Sequence, residues 1–155
     1  MDKRRRGEVS YLTTDIFLKF ESGMPKATAQ EKGERIAYKI QNGRRVPYIH
    51  HYKKAAVRAL RSELEYKLKR YKPKEPYEGA VKLTVILYFD KKSPKKSWGT
   101  YKTTRPDCSN YIKEIEDAMT STGFWIDDAQ IADLHVKKYY AEKANIFIRM
   151  EELET

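Results

Sequence analysis

The chain has 155 residues, the size of one ordinary domain, with 40% hydrophobic and 35% charged residues. Its formal net charge of +10 makes the surface strongly basic and favours polyanionic partners, nucleic acid or anionic membrane. No run of about 18 apolar residues occurs, which argues against a membrane-spanning helix. The basic start "MDKRRRGEVSYLTT" lacks the apolar stretch of a secretory signal.

With no internal repeat or long linker, one domain over residues 1–155 is expected. From Val9 to Phe20, Ile16, Leu18 and Phe20 alternate with Phe17 and Lys19, which suits a strand. "MPKATAQEKG" reads as a loop. "RIAYKIQNGRRVPYIH" reads as two strands around Asn42-Gly43, a strong hairpin signal, with Arg44 and Arg45 at the tip.

From His51 to Tyr71 the pattern is helical: Val57, Leu60, Leu64, Leu68 and Tyr71 recur at three- and four-residue spacing. Pro73 and Pro76 stop it. His50 and His51 are read as caps of this helix or as phosphate contacts. "AVKLTVILYFD" is the clearest strand, with Val81, Leu83, Val85, Leu87 and Phe89 on one face. It is apolar enough on both faces to be central in a sheet.

Asp90 ends that strand. "KKSPKKSWGTYKTTR" then supplies Lys91, Lys92, Lys95, Lys96, Lys102 and Arg105 with no acid among them, and Trp98 and Tyr101 interleaved. Such basic side chains suit phosphates, and exposed aromatics stack on unpaired bases. A second helix is expected from Ser109 to about Thr122, with Ile112, Ile115, Met119 and Thr122 as its less polar stripe and Gly123 as its breaker. "IADLHVKKYY" and "ANIFIRME" read as closing strands. The expected architecture is α+β, a mixed sheet of about five strands with two main helices packed on it.

The chemistry gathers around the second helix. Ser109, Lys113 and Asp117 are spaced to project from roughly one face. Asp107 precedes the helix, near its positive end, where a carboxylate is stabilised. Asp127 and Asp128 follow "GFWI". Clustered carboxylates with a lysine and no histidine partner suggest a hard cation such as Mg²⁺, bound by one or two carboxylates plus substrate phosphate. With a lysine to hold that phosphate, the design suits phosphodiester cleavage. The single Cys108 and the scattered His50, His51 and His135 lack zinc-ligand spacing. Ser109 lacks the context of a hydrolase nucleophile. Salt-bridged helix faces and a turn are the competing reading of these acids.

The run "RPDCSNYIKEIEDAMTSTGFWIDDAQI" resembles the signature of RusA-type Holliday junction resolvases. That family shows Asp-x-Asp-Asn, then a Lys three residues on, then Asp-Ala-hydrophobic, then Gly-Phe-Trp-x-Asp-Asp-Ala-Gln. Asp107, Asn110, Lys113, Asp117-Ala118-Met119, Gly123-Phe124-Trp125 and Asp127-Asp128-Ala129-Gln130 all fall in register. The resemblance is strict over about 30 residues, and looser in "MPKATAQEKG". It implies a homodimeric, Mg²⁺-dependent endonuclease (Mn²⁺ substituting) that binds four-way DNA junctions and nicks two strands of like polarity. It implies a cytoplasmic location in a bacterial cell, of host or phage origin, which the lone cysteine fits. The family's catalytic acids fall on Asp107 and Asp128, and its catalytic lysine on Lys113. Asn110 joins the basic loop as a DNA contact.

The remaining family acid falls on Ser109. A hydroxyl removes one negative charge and one strong metal ligand, and Asp127 is the candidate to compensate. An inactivating change, a degenerate natural member and a relocated ligand all stay open. A helix from Ser109 to Ser121 is about 18 Å long, so Asp128 reaches Asp107 in the same chain only if "TGFWIDD" returns along the helix. The same-chain arrangement is expected. The rival functions are a non-catalytic junction-binding protein, which Ser109 favours, and a generic basic RNA-binding protein.

Overall fold

In the computed structural model, residues 12–25, 32–90 and 95–154 are described. The start of the first predicted strand, most of the "MPKATAQEKG" loop, Lys91 and Lys92 lie outside the described residues. The elements run in the order β1 (Thr13–Lys19), β2 (Lys32–Gln41), β3 (Arg44–Lys53), α1 (Ala55–Leu68), β4 (Val81–Phe89), α2 (Cys108–Thr122), β5 (Ile131–Tyr140) and β6 (Asn145–Glu152).

The strict alternation in β4 decides the layering. Val81, Leu83, Val85 and Leu87 are fully buried, while the residues between them are half-buried. The buried set shares one face with its register partners on β6: Leu83 faces Met150, Val85 faces Ile148 and Leu87 faces Ile146. β1 adds Ile16 and Leu18 to the same face. Against that face lie Val57, Leu60, Leu64 and Leu68 of α1 and Ile112, Ile115 and Met119 of α2, in one continuous core. Removing one such aliphatic side chain typically costs about 2–5 kcal/mol.

The predicted α+β architecture holds: a mixed sheet with two main helices packed on it. Its strands divide as four plus two. The main sheet has the order β1-β6-β4-β5, with β4 and β5 parallel and the other pairs antiparallel. β4 is central, as its apolar run implied. The parallel pair needs a long crossover, and that crossover contains the basic loop and α2. β2 and β3 form a separate two-stranded sheet. Its turn has positive φ at Asn42 (50°) and Gly43 (71°), the geometry that suits the twist of a two-residue hairpin.

His50 and His51 do not cap α1, contrary to expectation. Both belong to β3, and Lys54 is the N-cap residue. His51 instead lies 3.1 Å from Glu34 across the hairpin. Among the described residues no helix is long and apolar enough to cross a membrane.

Candidate active site

Asp107 is the N-cap residue of α2, with an extended backbone (φ −73°, ψ 144°) and no side-chain capping bond. Its carboxylate is left at the positive end of the helix, where the Nδ2 of Asn110 lies 3.5 Å away. Ser109 follows on the first turn, exposed. The loop leading to Asp107 is fixed from the sheet. Lys138 on β5 donates to the carbonyls of Thr104 (2.9 Å) and Pro106 (2.8 Å). The backbone at residues 99–102 also pairs with β5, through Gly99 and Thr100 to Tyr140 and through Lys102 to Lys138.

One and two turns further along α2 stand Lys113 and Asp117. The Nζ of Lys113 lies 2.8 Å from Asp128 and 3.0 Å from Asp117. These bonds, to Asp128 first and Asp117 second, raise the lysine's pKa, so its ammonium stays protonated at any ordinary pH. Partial burial pushes the Asp117 carboxyl up, but hydrogen bonds from Lys113 and Arg61 outweigh it and hold the group below the usual range. Glu116 lies close by. Burial, aided by repulsion from Asp128 and Asp117, raises its pKa against the attraction of Lys113.

Behind this face is a charge network. Glu114 is fully buried, 3.0 Å from Lys53 and 2.8 Å from Arg61. Arg61 also reaches Asp117 at 2.8 Å. A guanidinium on α1 therefore links a structural carboxylate to one that touches Lys113. Sequence reasoning missed both Arg61 and Glu114. The available signal was position: Glu114 stands three residues after Tyr111 and four before Ala118, both fully buried.

Asp128 is delivered by a turn that explains much of the "GFWIDDAQ" run. Gly123, at φ 97°, closes α2 in a conformation few other residues adopt readily. Phe124 and Trp125 enter the core, and the Trp125 indole donates to Thr120 (2.7 Å). Asp127 and Gln130 form a capping box around the short 3-10 turn Asp128–Gln130. The Asp127 side chain accepts from the Ala129 amide (2.8 Å), and Gln130 accepts from the amides of Ile126 (2.9 Å) and Asp127 (3.0 Å). The Gln130 amide group also donates to the carbonyls of Tyr77 and Gly79. The segment thus turns back along α2 far enough to bring Asp128 to Lys113 of the same chain.

Among the described residues, no group of three or more His, Cys, Asp or Glu side chains stands together as a metal-holding cluster. The Lys113 ammonium bonds one oxygen of Asp128, and Asp127 commits one oxygen to its cap. The donor chemistry itself, carboxylates plus a hydroxyl, suits a hard cation.

Of the predicted DNA-contacting residues, Lys95, Lys96, Arg105, Arg44 and Arg45 are exposed. Trp98 is half-buried beneath Lys95, and Tyr101 is exposed, stacked on Tyr139 with ring centres 4.8 Å apart. Lys102 differs from these: only 3% exposed, it bonds to Thr104 and lies over the rings of Phe89 and Tyr140. The edge pairing of its segment with β5 accompanies this inward side chain.

A model of the family described as Endodeoxyribonuclease RusA matches residues 15–151. The chain is 40% identical over 92 residues to "Crossover junction endodeoxyribonuclease rusA" of Lactococcus phage r1t, covering 58% of this chain and 70% of that protein. It is 26% identical over 141 residues to "Uncharacterized protein YqaN" of Bacillus subtilis (strain 168), covering 84% of this chain and 92% of that one. With a family match across nearly its whole length, the chain belongs to the endodeoxyribonuclease RusA family.

Proposed function

We propose that this chain is a structure-selective endodeoxyribonuclease that binds four-way DNA junctions and opens them by paired nicks in a Mg²⁺-dependent reaction, as a homodimer. The observation that carries the reading is the exposed ammonium of Lys113, held at 2.8 Å by Asp128 beside the N-terminal half of α2. An incoming phosphodiester competes for that ammonium. When it takes a hydrogen bond from Lys113, it releases the Asp128 carboxylate. Asp107, at the helix's positive end, is the second carboxylate available.

Mg²⁺ needs only one or two protein carboxylates when substrate phosphate supplies further oxygens, so Asp107 and Asp128 are the residues that would hold it. When bound, the ion activates a water and stabilises the leaving oxygen. Lys113 positions the phosphate, while Asp127 and Gln130 hold the turn that presents Asp128. Lys95, Lys96, Arg105 and Arg44 supply phosphate contacts and Tyr101 an exposed ring for stacking. A two-fold junction that needs two matched cuts is met by a two-fold protein.

Ser109 favours a second reading of the same site, a junction-binding protein with weakened cleavage. Competition between a four-way junction, linear duplex and RNA of equal length tests the binding that both readings share. The junction is expected to win at matched salt, with affinity falling steeply as salt rises. Equal affinity for the three would overturn both readings.

A further inference from the structure

Lys113 is held by two carboxylates, and the two are anchored differently. Asp128 arrives on the turn that follows α2, and its Oδ2 accepts from the Lys113 ammonium. Asp117 stands one turn along the same helix, with its Oδ1 at 3.0 Å from that ammonium. A surface lysine–carboxylate pair at this spacing usually contributes little, because ordering two long side chains costs entropy. Here the carboxylate is engaged from its other side as well. Its Oδ2 accepts from the guanidinium of Arg61 on α1 at 2.8 Å.

Arg61 is fixed from the interior. Its Nε and one terminal nitrogen donate to Oε2 of Glu114 at 3.0 and 2.8 Å. The same terminal nitrogen reaches Asp117. The second oxygen of Glu114 accepts from Lys53, at the end of β3, at 3.0 Å. Every oxygen of both carboxylates is therefore matched to a cation. Side-chain exposure falls along the series, from 50% at Lys113 through 30% at Asp117 and 21% at Arg61 to 0% at Glu114. A buried anchor thus reaches the exposed ammonium through Arg61 and Asp117. The planar guanidinium fork can hold two carboxylates at once in one geometry, and a satisfied network rigidifies what it touches.

We propose that Arg61 is a positioning residue: through Asp117 it keeps the Lys113 ammonium in place when a phosphodiester displaces Asp128. The assignment rests on the nuclease reading above and deepens it. Arg61 reaches Lys113 only by way of Asp117, so its loss slows the reaction of bound junction and leaves affinity nearly unchanged. Holding a reacting group in its productive geometry is what such a supporting shell supplies.

Two variants separate this role from a structural one. Arg61→Lys keeps a cation beside Glu114 but lacks the fork that spans both carboxylates. Asp117→Asn breaks the same link on the exposed side and leaves Glu114 both its partners. Single-turnover nicking at saturating junction, in the unaltered chain and with Ser109→Asp, is measured beside the dissociation constant. The Nζ resonance of Lys113 in lysine-labelled protein, identified by its loss in Lys113→Ala, reports the ammonium directly. Each variant should lower the saturated rate about 10-fold and broaden that resonance, while the dissociation constant moves less than about 2-fold. Neither should lower the rate further in a Lys113→Ala background, because residues acting through one contact are not additive. Additive losses, or a Lys113 resonance unchanged by both variants, overturn the proposal. If neither chain nicks junctions, the nuclease reading fails and the resonance alone decides the tether: broadened by both variants it stands, unchanged it is overturned.

Discussion

The Nζ of Lys113 lies 2.8 Å from the Oδ2 of Asp128, although the two residues sit on different elements joined by a turn through the core. The contact ties the middle of α2 to the short turn that follows it. It gives the exposed face a cation held against Asp128. It also keeps Asp128 from being an isolated charge.

Lys113→Ala should cut cleavage by about 100-fold or more, the usual size for losing one group that stabilises developing charge. Stability should change by less than about 1 kcal/mol, because the lysine is half exposed and its ion pairs are screened. Single-turnover cleavage beside a urea melt measures both. Full activity in the variant would remove Lys113 from the reaction.

Arg61→Ala should destabilise the fold by about 3 kcal/mol, because it leaves the fully buried Glu114 with Lys53 as its remaining salt-bridge partner. Arg61→Ala together with Glu114→Gln should recover part of the loss, since the uncompensated charge is then gone. Urea unfolding of the two variants is the measurement. Equal losses would mean that the packing of α1 on α2, and not charge, carries the effect.

Lys95→Ala with Lys96→Ala should weaken junction binding and flatten the salt dependence by about one to two in log–log slope. Lys102→Ala should leave that slope unchanged and lower the melting temperature, because Lys102 is buried against Phe89 and Tyr140. Trp125 is only 1% exposed, so fluorescence quenching on DNA binding would report Trp98. An unchanged slope for the double variant would take this loop out of the interface.

The two acids flanking the Lys113 face should titrate with opposite signs. Asp117 has a folded pKa below its ordinary 3.8, so its stabilisation is present above that value and lost as pH falls through the lower folded one. Asp117→Asn should therefore cost stability at neutral pH, and the gap to the unaltered chain should close below about pH 3.8. Glu116 has a folded pKa above its ordinary 4.5, so its ionised form opposes folding. Glu116→Gln should gain stability at neutral pH, with the gain vanishing as pH falls below 4.5. Thermal melts from pH 3 to 8 resolve the two curves.

Local patterns carried most of the architecture. The alternation of Val81 to Phe89, the Asn42-Gly43 turn and the apolar stripes of both helices are each set by neighbours within a few residues, and each was legible. Partners set from far along the chain were not. Glu114 on α2 is balanced by Lys53 and Arg61, which sit 61 and 53 positions away in sequence. Lys102 reads as one more basic loop residue, and the pairing of its segment with β5, which accompanies its inward side chain, was not legible. Asp127 reads as a candidate ligand, and its capping bond from the Ala129 amide, a matter of the turn's backbone, was not legible. In the candidate site, Lys113, Asp117 and Asp128 were placed together by helix spacing and motif. Arg61, which reaches Asp117 from α1, left no signal near the motif.

Cleavage of a labelled four-way junction in Mg²⁺ by this chain beside Ser109→Asp is the most direct test. Ser109 stands on the first turn of α2, where a carboxylate would join Asp107 at the helix's positive end. The substitution adds an anionic oxygen to a site short of one, so it should raise paired nicking strongly while changing junction affinity little. The added activity should disappear when Asp128→Asn is combined with it. If Ser109→Asp binds junctions but makes no nicks in Mg²⁺ or Mn²⁺, or cuts linear duplex as readily as junctions, the chain is not the structure-selective nuclease proposed.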